Sequence, residues 1–195
     1  MSCQSLKSIL LFFFIFCVFL TGAQAKGQDL PCQVYFSPQD QLDERLIELI
    51  EKEKVSIQAA IYCLMHRKIA QALTKAKDRG VLVEVVVDSF SVKAASPISS
   101  MAEKGVSIYV WNKLRPQKNS KKKSLMHDKF CVFGNHTVWT GSFNFTRDAS
   151  FSNCENAVVL SDQNIAELYK IEFEKIRSQG SIPYEEFCIV KKRLK

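Results

Sequence analysis

The sequence lacks several patterns that would narrow its class at once. Its seven cysteines and three histidines form no Cys-x-x-Cys pair and no Cys/His cluster with zinc spacing, which argues against a structural zinc site. No internal repeat is visible. No apolar run reaches the roughly 20 residues of a membrane-spanning helix, since the longest is 9–20. A chain of 195 residues with these absences is expected to fold around one core.

The first residues have the layout of a secretory signal peptide. Lys7 precedes the apolar run, and Ala23-Gln24-Ala25 fits a small-x-small cleavage site. We therefore expect residues 1–25 to be removed and residues 26–195 to form a single exported domain, periplasmic or secreted. An uncleaved N-terminal membrane anchor is the alternative.

The expected mature chain is basic. Only one of the 27 Lys and Arg residues falls within residues 1–25, so 26 remain against 20 Asp and Glu. A basic exported protein suggests a polyanionic partner, such as nucleic acid, an anionic membrane surface or a phosphorylated substrate. Five cysteines remain, an odd number that leaves at least one thiol unpaired, and Cys32 with Cys188 is a candidate disulfide.

Predicted strands alternate with predicted helices along the chain. Near-continuous apolar segments such as "VLVEVVVD" are typical of strands covered on both faces, and helical periodicity marks the segments between them. The pattern predicts an α/β fold, a mixed central β-sheet with helices on both faces. Strands are predicted over 32–36, 55–62, 81–88, 105–111, 129–133, 136–141 and 155–160. Helices are predicted over 40–54, 66–80, 91–104 and 164–180, the third of them broken or started at Pro97, with a frayed tail over 191–195.

A group of polar residues clusters around the hairpin predicted at Gly134-Asn135. His127 and Lys129 are two residues apart, so they point to the same face of a strand. An imidazole can attack phosphorus or carry a proton, and an ammonium beside it can hold phosphate oxygens. Ser142 and Asn144 follow a glycine at the end of the next strand, where they can donate to the same oxygens.

This ordered set resembles the phospholipase D superfamily, whose signature is His-x-Lys-x-x-x-x-Asp followed by Gly-Ser-x-Asn. The stretch "HDKFCVFGNHTVWTGSFNFT...NCENAVVL" is especially similar to small exported bacterial endonucleases of that superfamily, which carry one signature per chain. The resemblance extends over 34–177. It implies a phospholipase D/nuclease-like sandwich that hydrolyses phosphodiester bonds with no metal or other cofactor in the chemistry.

The resemblance also implies roles for individual residues. His127 would be the nucleophile that forms a phosphohistidine, and Glu155 would orient it. Lys129 and Asn144 would bind the phosphoryl oxygens, with Ser142 assisting. Because the family needs two such histidines and this chain has one signature, the resemblance implies a homodimer that shares one active site.

One signature position departs from the pattern. The aspartate of the signature would fall at residue 134, which is glycine in this chain. We expect reduced rather than absent activity, and a higher rate in Gly134→Asp.

Other polar residues suit structural roles better. His66 at the start of a helix is expected to be a surface or capping residue, His136 a solvated turn residue, and Asp88 the end of a central strand. Asp128 would face away from its neighbours, and Cys131 would be a small buried thiol.

The expected substrate follows from charge. The segment "RPQKNSKKKS", residues 115–124, immediately precedes His127 and is too charged to be core. Its cations would attract a phosphate backbone without base readout: Arg115, Lys118, Lys121, Lys122 and Lys123. We therefore expect a non-specific endonuclease acting on DNA, with RNA as a further substrate. A phospholipase D acting on lipid head groups, and a nucleic-acid-binding protein weakened at Gly134, are the alternatives.

Overall fold

The computed structural model describes residues 32–112 and 124–193. The expected signal peptide lies outside these ranges, as do the five basic residues expected to contact nucleic acid. Within the described ranges, no helix combines the length and apolar character that crossing a membrane requires.

Eight strands and six helices make up the described part of the chain. The strands are β1 Cys32–Phe36, β2 Ser56–Ile61, β3 Leu82–Asp88, β4 Ser107–Trp111, β5 Lys129–Phe133, β6 Thr137–Gly141, β7 Asn156–Ser161 and β8 Ser181–Pro183. The helices are α1 Leu42–Lys52, α2 Arg67–Asp78, α3 Ile98–Glu103, α4 Arg147–Phe151, α5 Gln163–Gly180 and α6 Tyr184–Arg193, and a 3₁₀ turn, Ser89–Ser91, follows β3.

All eight strands form one mixed sheet in the order β1-β7-β6-β5-β2-β3-β4-β8. The central strands β2, β3 and β4 are parallel, whereas every other neighbouring pair is antiparallel. This arrangement brings the carboxyl ends of β2, β3, β4 and β6 to the same edge of the sheet as the amino ends of β5 and β7. The polar residues singled out in the sequence lie along that edge.

The sheet separates two apolar layers. Along β2, Ile57, Ala59 and Ile61 belong to the larger layer, under α1 and α2, whereas Ala60 faces the smaller one. Helix α5 covers the smaller layer and buries Phe173 there. Burying one such aromatic side chain contributes about 1.5–3 kcal/mol, so both faces of the sheet stabilise the fold. The α/β fold with helices on both faces is confirmed.

Most of the predicted elements are confirmed, and the hairpin is the sharpest case. Strand β5 begins and ends at the predicted residues, and it pairs with β6 through the turn at Gly134. Gly134 has φ of +53°, a left-handed conformation that glycine adopts at no steric cost. The Gly-Asn signal therefore marks the turn for the expected physical reason.

The helix predicted over 91–104, broken or started at Pro97, is confirmed in its second half. Helix α3 begins only at Ile98, directly after Pro97. Proline has no backbone N–H to donate, and it disfavours the helical conformation of the residue before it. The segment between the 3₁₀ turn and α3 is therefore a loop, and it carries Lys93.

The tail predicted to be frayed belongs in part to helix α6. Phe187 on this helix is buried in the larger apolar layer. Lys191 Nζ donates a hydrogen bond of 2.8 Å to the carbonyl oxygen of Val92. The helix begins with Glu185 and Glu186 and ends with three cations, an order that suits the helix dipole.

The candidate disulfide between Cys32 and Cys188 is incompatible with the sheet. Cys32 lies on β1 at one edge, and Cys188 lies on α6, which packs on β4 and β8 at the other edge. Six strand spacings between β1 and β4 separate the two by a distance on the order of 25 Å. A disulfide requires Cα atoms within about 7 Å.

His66 caps helix α2, which was one of the two roles expected for it. It is buried and does not lie on the surface. Its Nδ1 accepts from the backbone N–H of Ile69, and its Nε2 lies 3.2 Å from Asp43 Oδ2. Both side chains are at least 96% buried. Burial lowers the pKa of His66, and the Asp43 carboxylate offsets that effect only in part.

This pair predicts a loss of stability in mild acid. The unfolded chain binds a proton at His66 near pH 6.5, whereas the folded protein resists it, so the free energy of unfolding should fall as pH drops below that value. In His66→Asn, which keeps a capping oxygen, the fall should be shallower by up to about 1.4 kcal/mol per pH unit. Urea denaturation of both proteins between pH 7.5 and 5 measures this, and parallel curves would contradict it.

Candidate active site

Five strand ends bring the polar residues together at one edge of the sheet. Because β5 is antiparallel to β2, Lys129 pairs with Ile61, the last residue of β2. Because β7 is antiparallel to β6, Gly141 pairs with Ala157 at the start of β7. The carboxyl ends of parallel strands are where α/β proteins commonly hold ligands.

His127 and Lys129 are in contact, although His127 lies just before β5 and not within it. Lys129 Nζ lies 3.2 Å from His127 Nδ1 and donates to the carbonyl oxygen of His127 at 2.5 Å. The imidazole is exposed and packs against the Tyr62 ring, with 4.5 Å between centroids. The structure therefore brings together the two residues expected to hold and attack a phosphate.

Lys129 is an unusual lysine because its side chain is only 9% exposed. Burial lowers the pKa of its ammonium, and the carboxylates of Asp128 and Glu155 partly offset this. Among the described residues, no carboxylate forms an ion pair with it. An ammonium in this state is well suited to an incoming anion, because charge attraction is stronger away from bulk water.

Ser142 and Glu155 are joined directly. Ser142 Oγ donates to Glu155 Oε2 at 2.5 Å and accepts from the backbone N–H of Asn156 at 3.0 Å. Asn153 Nδ2 donates to the other carboxylate oxygen of Glu155 at 3.1 Å. The described hydrogen bonds of the Glu155 carboxylate thus go to these two side chains, and its role in orienting His127 stays a prediction.

The loop that carries Asn144 is fastened to the loop after β2. The backbone N–H of Phe145 donates to the Cys63 carbonyl, and the Phe145 carbonyl accepts from Met65 and His66. The Asn144 Oδ1 atom is buried and has no hydrogen-bond partner among the described residues. A buried acceptor without a donor costs free energy, so Asn144 is the polar side chain here with most to gain from a ligand or a partner chain.

Gly141 lets this loop approach β7. A Cβ at this position would lie 2.2 Å from the carbonyl oxygen of Asn156, which no real Cβ contact tolerates. The glycine of the Gly-Ser-x-Asn signature is thus a packing requirement, and Ser142 reaches the Asn156 backbone only because of it.

Asp88 is a positioning residue that sequence reasoning undervalued. Its buried carboxylate accepts from the backbone N–H of Met126 at 3.0 Å and of Phe90 at 2.8 Å. One acceptor therefore fixes both the approach to His127 and the turn that carries Phe90. The signal in the sequence was an aspartate ending an otherwise apolar central strand.

An aromatic pair, also missed in the sequence, lines the same edge. Phe90 stacks on Tyr62 with 5.3 Å between centroids and 3° between ring planes. Ser91 holds the backbone below them, because its Oγ donates to the Tyr62 carbonyl and accepts from the Leu64 N–H. Tyr62 therefore presents a fixed face to His127.

A cleft of about 340 Å³ opens beside His127. Asp128 and Glu172 lie on its wall, and the pKa of Asp128 is raised, first by burial and then by Glu172. Asp128 lines the cleft on the side of α5. The alternation that Phe130 and Cys131 continue, toward the smaller and the larger layer, agrees with the expectation that Asp128 faces away from Lys129. The lining consists of His127, Asp128, Lys129, Phe130, Thr140, Gly141, Leu168, Tyr169 and Glu172.

Two further expectations agree with the structure. Cys131 is fully buried, and burial raises the pKa of its thiol far above the ordinary value. His136 is exposed in the β5–β6 turn, at the opposite end of β5 from His127.

Comparison with known proteins places this chain in a family. Residues 46–177 match the family described as "Cardiolipin synthase, PLD-like domain". The chain belongs to the phospholipase D superfamily. The resemblance read from the His-x-Lys and Gly-Ser-x-Asn residues is confirmed.

Three relatives indicate the range of the family. The mitochondrial cardiolipin hydrolase of Xenopus tropicalis is 28% identical over 138 residues, which are 70% of this chain and 61% of the relative. The phospholipase D of Rickettsia conorii is 28% identical over 135 residues, 69% of this chain and 63% of the relative. Nuc from Salmonella typhimurium, a phospholipase D family member of solved structure, is 31% identical with a TM-score of 0.66, covering 78% of this chain and 97% of its own.

This chain spans about three fifths of the length of the two curated relatives. Together the relatives support a hydrolase of phosphodiester bonds, the enzyme class expected from the sequence.

The structure revises the expectation attached to Gly134. The residue lies in the turn beyond Phe133, so the length of β5, about 17 Å, separates it from Lys129. A side chain there would begin 3.4 Å from the Glu53 carboxylate. Position 134 is thus a turn position remote from the chemistry.

We therefore predict that Gly134→Asp does not raise the rate of phosphodiester hydrolysis. The substitution should lower the free energy of unfolding by about 1–2 kcal/mol, because φ is positive and a second carboxylate would face Glu53. Asparagine tolerates this conformation as well as aspartate does but carries no charge. The free energy of unfolding should therefore fall less in Gly134→Asn than in Gly134→Asp. Urea denaturation and initial rates test this, and a faster Gly134→Asp enzyme would contradict it.

Proposed function

We propose that this chain is an exported endonuclease that hydrolyses nucleic acid through a covalent phosphohistidine at His127. The observation that carries the proposal is the contact between His127 and the buried ammonium of Lys129 at the mouth of the cleft. Membership of the phospholipase D superfamily supports the reaction type. The apolar run before Ala23-Gln24-Ala25 supports export.

The reaction runs in two displacements. In the first, His127 Nε2 forms a bond to phosphorus while the bond from phosphorus to the leaving oxygen breaks, and a general acid gives that oxygen a proton. In the second, water attacks phosphorus, its proton returns to the same group, and the phosphorus–nitrogen bond breaks to release a phosphomonoester. Lys129, Asn144 and Ser142 would hold the phosphoryl oxygens.

The His127–Lys129 contact sets a condition on the first displacement. An ammonium can only donate hydrogen bonds, so His127 Nδ1 accepts in this contact and the ring proton lies on Nε2. Attack through Nε2 needs the proton on Nδ1 instead. A bound phosphate that attracts the Lys129 ammonium would release Nδ1, and a carboxylate such as Glu155 would then favour the attacking tautomer.

A second copy of the chain would supply the general acid. One copy has one His-x-Lys pair, so the proton for the leaving oxygen would come from His127 of the partner subunit. Apolar side chains beside the cleft support such an interface: Leu168 is 66% exposed on the cleft wall, and Ile171 is 56% exposed one turn further along α5. Exposed apolar groups of this kind commonly mark interaction surfaces.

Nucleic acid is the substrate that charge favours. Trp111 Nε1 donates to the Ser124 carbonyl at 3.1 Å, so the chain before the lysine-rich segment contacts Ser124, three residues before His127. The chain carries a formal net charge of +7. Cations attached at this point would attract a phosphate backbone by a sequence-independent, salt-sensitive interaction.

A lipid phosphodiester is the second candidate, and one observation favours it. Leu125, Leu168 and Phe90 are exposed around His127, and apolar side chains of this kind would suit contact with a membrane surface. Two of the relatives are named for lipid substrates. The same side chains suit a dimer interface, so substrate assays must separate the two functions.

We predict that the purified protein nicks plasmid DNA in excess EDTA. His127→Ala should lower the rate by about 10³-fold or more, because the nucleophile is lost. His136→Ala is the matched control, since His136 is an exposed histidine at the far end of β5, and it should leave the rate unchanged. The rate of nicking is measured by gel electrophoresis. Hydrolysis of cardiolipin in vesicles is assayed in parallel.

The other outcomes decide between the candidates. Hydrolysis of cardiolipin without any cutting of DNA would favour the lipid function. Cutting that needs a divalent metal would refute the phosphohistidine route. DNA binding without cutting, unchanged in His127→Ala, would favour a binding protein.

We further predict that Ile171→Glu gives a monomer with a rate at least about 100-fold lower, because the second histidine is lost. Ile171 does not line the cleft, so the loss would not come from an altered cleft. Ile189→Glu on α6 is the matched control, since Ile189 is 53% exposed, and it should remain dimeric and active. Analytical ultracentrifugation with rate measurements tests this, and a monomeric, fully active Ile171→Glu would refute the shared site.

A further inference from the structure

The loop between β3 and α3 holds a cation near His127. Lys93 Nζ lies 3.6 Å from the centroid of the Phe90 ring, within the range of a cation–π contact. Phe90 stacks on Tyr62, and Tyr62 packs against His127. The three contacts in series, of 4.5, 5.3 and 3.6 Å, place the ammonium of Lys93 no more than about 13 Å from the imidazole of His127.

Lys93 and Lys129 also share a neighbour. Both ammonium groups lower the pKa of the Cys63 thiol, against the larger raising effect of burial. Both cations therefore lie near Cys63, in the loop that follows β2 at this edge of the sheet.

Helix α6 continues the positive surface away from His127. Lys191 Nζ donates to the carbonyl of Val92, the residue before Lys93, and keeps two further N–H groups for other acceptors. Lys93, Lys191 and Lys192 line one open cleft of about 400 Å³ between the β3–α3 loop and α6. Within residues 32–112 and 124–193, none of the three forms an ion pair with a carboxylate.

We propose that Lys93, Lys191 and Lys192 form a track that binds the phosphates next to the scissile one. The inference rests on the proposed function and gives it a substrate class: a polymer of phosphodiesters. A diester with a single phosphate has nothing to place in the track, because the scissile phosphate occupies Lys129. Lys93 falls in a segment whose helix was expected to break or start at Pro97, and Lys191 and Lys192 fall in the tail expected to be frayed, so the sequence did not indicate this site.

The binding test uses a single-stranded oligonucleotide of 12 residues with a fluorescent end label. In the His127→Ala background, which does not cut the probe, Lys93→Ala should weaken binding about threefold to tenfold, the loss of one charged contact. The slope of log affinity against log salt should fall in magnitude by about 0.7, the value for one single-strand phosphate. Lys93→Arg should keep both values, and Lys52→Ala, a highly exposed lysine on α1, should match the parent.

The activity test uses bis(p-nitrophenyl) phosphate, which has one phosphate. With His127 present, Lys93→Ala should hydrolyse it with unchanged kcat/KM but cleave the oligonucleotide more slowly at limiting concentration. Lys192→Ala gives a second measure of the track, because no described contact of the fold depends on its ammonium.

The outcomes separate the track from the proposed function. Unchanged affinity and salt slope in both Lys93→Ala and Lys192→Ala would overturn the track. An equal loss with bis(p-nitrophenyl) phosphate would also overturn it, since Lys93 would then act on the scissile phosphate. If the parent enzyme hydrolyses neither substrate, the proposed function fails, and anisotropy of the oligonucleotide still decides whether the track exists.

Discussion

Antiparallel pairing of β5 with the parallel strand β2 is the constraint on which the site depends. It turns the amino end of β5 toward the carboxyl ends of β2 and β3, so the residues just before β5 meet the loops that follow those strands. In a sheet of parallel strands alone, His127 and Lys129 would lie at the opposite edge from Asp88. The reversal of direction between β2 and β5 therefore brings His127, Lys129 and the residues that support them together from segments far apart in the chain.

The side chains that support this site act mainly by hydrogen bonds to the backbone. Asp88 holds two N–H groups, and Ser91 bridges the Tyr62 carbonyl and the Leu64 N–H. Such hydrogen bonds contribute only about 1 kcal/mol each, but leaving one of these buried groups unpaired costs more. Among the described residues, the edge is thus held in place without an ion pair between a carboxylate and Lys129, which leaves its ammonium available to an anion.

Periodicity and turn chemistry predicted most of the scaffold. Strand β5 and its Gly134 turn were predicted to the residue because local signals, an apolar run and a Gly-Asn pair, decide both. The segment around Lys93 was left open between helix and loop because Pro97 can start a helix as readily as interrupt one. Helix α6 was missed because its burial depends on Phe187 meeting a distant layer, which no local pattern reveals.

The residues of the candidate site fall into the same two groups, those that a local pattern predicts and those that depend on the arrangement of the strands. His127 and Lys129 follow from strand alternation, and their contact agrees with it. The roles of Asp88 and Tyr62 depend on which strand ends are neighbours in space, which the sequence does not state. The expectation that Gly134 lowers activity rested on its place in the signature. A signature gives the spacing of residues along a strand but not the end of the strand at which each one lies.

The hydrogen bond from Trp111 to Ser124 has a consequence for how this chain can change. It joins the last residue of β4 directly to the residue three positions before His127, so a contact of the described fold holds these two points together. Substitutions between residues 113 and 123 leave both partners of that bond in place. The charge that the chain carries between the two points can therefore vary while the bond beside the candidate site is kept.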